Sequence, residues 1–120
     1  MNNFEFGEQM KKRTKAFAVQ IIKFYKSLPR TDEARVLGKQ LLRAGTSVAA
    51  NYRAVCRAKS QADFVSKMGT VLEESDERLL WLELFEDAEL ISSDKLRLLK
   101  GEAEELLRIF SRSLNTVRRS

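Results

Sequence analysis

An all-α, up-down-up-down four-helix bundle is the fold this sequence predicts, and three observations predict it. Apolar residues recur at alternating steps of three and four in four separate runs, the period of a helix that buries one face. Short segments join the runs, which sets consecutive helices side by side and antiparallel. Only five Gly and one Pro occur in 120 residues, too few turn-formers for a many-stranded β protein. A chain of this length makes one domain, residues 1–120, with a real core.

Residues 1–7 read as a loose N-terminal arm. The first helix then buries Met10, Thr14, Phe17, Ile21, Phe24 and Leu28, with Ala18, Ile22 and Tyr25 widening the stripe. Leu28-Pro29 ends it, because proline disfavours the α conformation in the residue before it. Thr31 or Asp32 caps the second helix, about residues 33–58, and Asp32 and Glu33 suit the dipole of its first turn. Its stripe is Ala34, Leu37, Leu41, Ala44, Val48, Asn51 and Val55. Gly38 and Gly45 lie inside it, each costing roughly 1 kcal/mol relative to Ala. Such glycines predict a local kink or close approach of another backbone, and with Ala49, Ala50 and Ala54 nearby the close approach would be of a neighbouring subunit, or of helix three or four of the same subunit.

Ser60-Gln61-Ala62-Asp63 reads as a capping box with Asp in place of the usual Glu. The third helix runs to about residue 88 and buries Phe64, Val65, Met68, Val71, Leu72, Ser75, Leu79, Leu82 and Phe85. Leu90 and Ile91 fall in the connection, and Ser92 or Ser93 caps the fourth helix. Its seam is Leu96, Leu99, Ala103, Leu106, Phe110, Ser113 and Val117, before a tail, residues 118–120, that reads as frayed.

Charge is unevenly spread. The chain carries +5 in total: +5 over residues 1–30, +4 over 31–60, −7 over 61–91 and +3 over 92–120. Either the acidic third helix complements basic neighbours, or the basic first and fourth helices form a surface for a polyanion; the two are compatible. The candidate phosphate contacts on those helices are Lys11, Lys12, Arg13, Lys15, Lys23, Lys26, Arg112, Arg118 and Arg119.

Most site chemistry is excluded by composition. There is no His, and one Cys builds neither a disulfide nor a thiolate metal site. No Gly-rich phosphate loop follows a strand. A carboxylate di-metal centre in a bundle also wants Glu-x-x-His pairs, so no metal or cofactor is expected. No run of about 18 apolar residues spans a membrane. The N-terminus lacks the charged and apolar regions of a signal peptide, so the expected compartment is the cytoplasm. Cys56 reads as a small buried hydrophobe. Trp81 reads as an anchor in the core or a subunit interface. Asn51 holds a seam position where a buried amide can set register or partner number. Arg43 and Glu74 are expected to form a buried ion pair between helices two and three. Thr46 and Ser47 are expected to bond back to carbonyls one turn earlier.

The run Arg43 to Asn51-Tyr52, with Gly45, Thr46 and Ser47 inside it, then Arg57-Ala58-Lys59-Ser60, Asp63-Phe64, Lys67, Glu73-Glu74, Glu77 and Trp81-Leu82, resembles a known family. It is similar to the small bacterial four-helix-bundle proteins encoded in intervening sequences of 23S rRNA genes. The match is close over about residues 41–84; helices one and four agree only in length and pattern. Relatives commonly carry Glu where this chain has Ala54, so a polar contact made by that Glu is missing here. The resemblance implies a ring-shaped homopentamer. It also implies a distant kinship with accessory proteins of diversity-generating retroelements, basic pentamers that bind nucleic acid and a reverse transcriptase. Five copies would carry about +25, which strengthens attraction to a polyanion. The expectation is a non-enzymatic homo-oligomer that binds nucleic acid, RNA before DNA, without sequence specificity. The alternative is a protein–protein interaction scaffold with no nucleic-acid ligand.

Overall fold

The computed structural model describes residues 2–119. Four helices follow one another: α1 Asn3–Lys26, α2 Asp32–Val55, α3 Gln61–Asp87 and α4 Asp94–Arg118. They pack antiparallel in sequence order into a rod of 47 × 20 × 18 Å. Each begins on a side-chain oxygen that accepts the backbone N–H three residues on, satisfying a donor the helix cannot. The pairs are Asn2 with Glu5, Thr31 with Ala34, Ser60 with Asp63, and Ser93 with Leu96.

Two terminal expectations are corrected. Residues 2–7 are not a loose arm: Asn2 Oδ1 accepts from Glu5 N at 2.7 Å and α1 starts at Asn3. Its first turn buries nothing, so the apolar stripe that betrays a helix starts only at Met10. At the other end Arg118 closes α4 and the Arg119 N–H bonds Asn115 O, so these two residues are helix end rather than frayed tail. Ser120 lies outside the described residues.

α3 ends in a Schellman turn, with the N–H of Leu90 on Phe85 O and that of Glu89 on Glu86 O. Glu89 takes the left-handed conformation, φ 56°, that glycine usually fills there. The turn drops Leu90 and Ile91 against the core.

Along the bundle axis diagonally opposed helices meet through aromatic rings. Phe24 of α1 meets Phe85 of α3 edge-on at 5.6 Å, and Tyr52 of α2 meets Phe110 of α4 at 5.5 Å. The small residues of α2 face α1. A Cβ on Gly38 would lie 2.6 Å from Leu28 Cδ1, and one on Gly45 3.0 Å from Ile21 Cγ2. The close approach predicted for the glycines is therefore made by helix one of the same subunit, not by helix three or four. α1 and α4 are the neighbours that stand furthest apart.

Candidate nucleic-acid interface

Antiparallel packing gathers basic residues that are distant in sequence. Gln61 Nε2 donates to Val117 O at 2.8 Å, and Cys56 Sγ lies 3.9 Å from Gly7 O. The start of α1, the ends of α2 and α4 and the start of α3 thus share one end of the rod. There Lys11, Lys12 and Lys15 of α1 and Arg53 of α2 line a groove of ≈ 350 Å³, with Ala49 and Ala50 as small wall residues and Glu8 at its edge. Lys11 pairs with Glu8 at 2.9 Å. Among the described residues Lys12, Lys15 and Arg53 form no ion pair, so their charge is free for a ligand. Arg57, Lys59, Arg118 and Arg119 are exposed at the same end.

Phe4 extends this surface. Phe4, Glu8, Lys11 and Lys15 follow at steps of four, three and four, which places them on one stripe of α1 about 16 Å long. Phe4 is 75% exposed, an aromatic face open to solvent beside the cations.

The other candidates divide. Arg13 points to the opposite side of α1, where Nε and Nη2 donate to Glu102 at 2.9 and 2.7 Å and Nη2 also meets Glu105 at 3.1 Å. It closes the wide α1–α4 seam and is not available to phosphate. Lys23 and Lys26 are exposed in the last turn of α1, at the far end of the rod, where they complement the helix dipole. Arg112 is exposed on α4, away from the groove lining. Reading charge helix by helix missed Arg53, which joins the α1 lysines only through the α1–α2 pairing. The signal was the basic run that closes the second helix, Arg53 and Arg57.

The motif-rich stretch of α2 is structural. Arg43 Nη1 meets Glu74 at 3.3 Å and Nη2 meets Glu77, whose Oε1 also accepts from Trp81 Nε1 at 3.4 Å. The Arg43 side chain is 49% exposed, so the expected buried pair is a surface network, because the long guanidinium reaches outward past the helix shoulder. Arg43 holds the Glu77 carboxyl below its usual range. Thr46 donates to Leu42 O at 2.8 Å, as expected. Asn51 Nδ2 donates to Ser47 O and Oγ, both 2.9 Å away. Its amide nitrogen is thus satisfied within α2. Asp63 accepts from Lys59 N and from Lys67 Nζ, while Phe64 and Trp81 pack half-buried against the core. Cys56 is exposed rather than buried, because α2 ends at Val55 and position 56 turns off the stripe. Partial burial pushes its thiol up, which disfavours the reactive thiolate.

Arg78 is a residue the sequence concealed. It is 0% exposed, with its guanidinium 4.5 Å above the Phe17 ring on the bundle axis. Burial lowers its pKa to about 10, so it stays cationic at neutral pH. Positions 78 and 79 both continue the 3–4 spacing from Ser75 to Leu82, and the adjacent Leu79 is the one hydrophobicity selects.

Among the described residues no cluster of His, Cys, Asp or Glu could hold a metal ion, and no helix is long and apolar enough to cross a membrane.

Comparisons place this geometry among known proteins. The family model described as "23S rRNA-intervening sequence protein" matches residues 8–112. A solved structure from Bacteroides thetaiotaomicron, a protein of unknown function from the S23 ribosomal protein family, has 34% identity and a TM-score of 0.79, over 87% of this chain and 96% of that one. Among curated proteins there is no match.

Proposed function

The chain belongs to the 23S rRNA-intervening sequence protein family, and on that footing we propose that it is a non-enzymatic, homo-oligomeric bundle that binds nucleic acid through phosphate contacts without sequence specificity. The observation that carries this is the groove in which Lys12, Lys15 and Arg53 offer free cations beside the small side chains of Ala49 and Ala50. Small wall residues let a sugar–phosphate backbone come close, and lysines contact phosphate as point charges that read no base. Exposed Phe4 on the same stripe supplies a stacking face, which favours single-stranded over duplex ligands and hence RNA over DNA in the cytoplasm.

The proposed assembly is a homopentamer. It is supported by complementary surfaces on separate helices. α3 presents Glu73, Asp76 and Asp87 around exposed Leu80, whereas α1 presents Lys23 and Lys26 beside exposed Val19 and Ile22. Unlike surfaces that fit each other make head-to-tail contacts, which close into a ring when the rotation between neighbours closes. The same acidic α3 surface favours the second reading, a protein–protein scaffold without a nucleic-acid ligand.

Filter binding of single-stranded RNA at low and high salt, with the mass in solution from light scattering, tests the proposal. The expected result is binding that weakens steeply with salt by an oligomer. No binding at low salt would overturn the nucleic-acid reading, as would binding indifferent to salt. A monomer would overturn the assembly.

A further inference from the structure

Arg78 and Ser75 lie one turn apart on α3, and both are 0% exposed. None of the three guanidinium nitrogens has a hydrogen-bond partner, and neither has Ser75 Oγ. An arginine carries five N–H donors, and leaving them unmatched in the interior is costly. The neighbours do not supply the missing acceptor. Phe17 attracts the cation with its ring face but accepts no N–H from its plane. Glu102 is the carboxylate whose field reaches Arg78, yet both its oxygens already accept from Arg13.

What is missing is an acceptor, and the carboxylate charge that reaches Arg78 is shared with Arg13. Water would supply an acceptor but no charge, and an interior cation only partly compensated is costly. We propose that the bundle interior binds one small monovalent inorganic anion, of the size of chloride, between the guanidinium of Arg78 and the hydroxyl of Ser75. A phosphate would bring excess charge and need more room than a core lined by Phe17 offers. The anion is a structural ligand, independent of the nucleic-acid surface.

Bromide substitutes for chloride and scatters anomalously, so crystals of the full chain grown in sodium bromide give the direct test. The expected result is an anomalous peak within hydrogen-bond range of both Arg78 and Ser75 Oγ. Ordered water without bromide there, or the Glu102 carboxylate turned onto Arg78, would overturn the proposal. In solution, replacing gluconate by chloride at constant ionic strength should raise the melting temperature by several degrees through mass action. That rise should vanish in Arg78→Met and shrink in Ser75→Ala, which keeps the test open if the first variant fails to fold. The same chloride response in a folded Arg78→Met overturns the assignment. A bromide peak without any chloride response marks an adventitious ion only, and overturns it too.

Discussion

Gly45 and Arg78 are the residues at which sequence and structure inform each other most. A side chain at Gly45 would run into Ile21 of α1, whose Cγ2 lies 3.0 Å from where a Cβ would stand. Gly45→Leu should therefore lose about 1–3 kcal/mol by overpacking. The measurement is a lowered melting temperature; an unchanged one would show the α1–α2 contact to be roomy. Close approach was legible in the sequence because two glycines inside a helix need a reason. Its partner was not, since a stripe of small residues carries no address. Arg78 was illegible for a different cause: spacing alone fits both it and Leu79. The Arg43–Glu74 pairing was legible from charge and helix order, but its exposure was not, because side-chain reach decides it. Where the Asn51 amide bonds was likewise not legible. Its position is seam-like, but its amide turns back onto Ser47.

Among the elements, three of the four N-caps were visible as Ser or Thr ahead of an apolar stripe. Asn2 was not, because the turn it caps buries nothing and so lacks the stripe. The α1–α4 seam is the element-scale feature that only the structure shows. Helices that keep their distance are joined there by Arg13 and Glu102, both partly buried. Glu102→Gln removes the charge that pairs with Arg13 and offsets Arg78, and should destabilise the fold by about 1–2 kcal/mol. Denaturant unfolding reads this, with Lys100→Gln as comparison, since Lys100 pairs with Glu86 across the closely packed α3–α4 contact at 2.8 Å. The Lys100 change should cost less. Equal losses would mean that the seam has no special dependence on Glu102.

For the whole molecule, the fold class and the net charge of each helix were legible, but where the charges meet was not. The first and fourth helices were the expected polyanion surface. Antiparallel packing instead joins the start of α1 to the end of α2, adds Arg53, and withdraws Arg13 into the seam. Arg118 and Arg119 reach the same end of the rod without lining the groove. The proposed ligand surface is thus a product of topology acting on charges some forty residues apart in the chain. The salt dependence of single-stranded RNA affinity, compared between the native chain and Lys12→Glu/Lys15→Glu/Arg53→Glu, tests this most directly. The predicted result is weaker binding and a shallower slope of log affinity against log salt, by about 0.7 for each phosphate that is no longer neutralised. Arg112→Glu should leave the slope nearly unchanged. A folded triple variant with native affinity and native slope would contradict the groove as the binding surface.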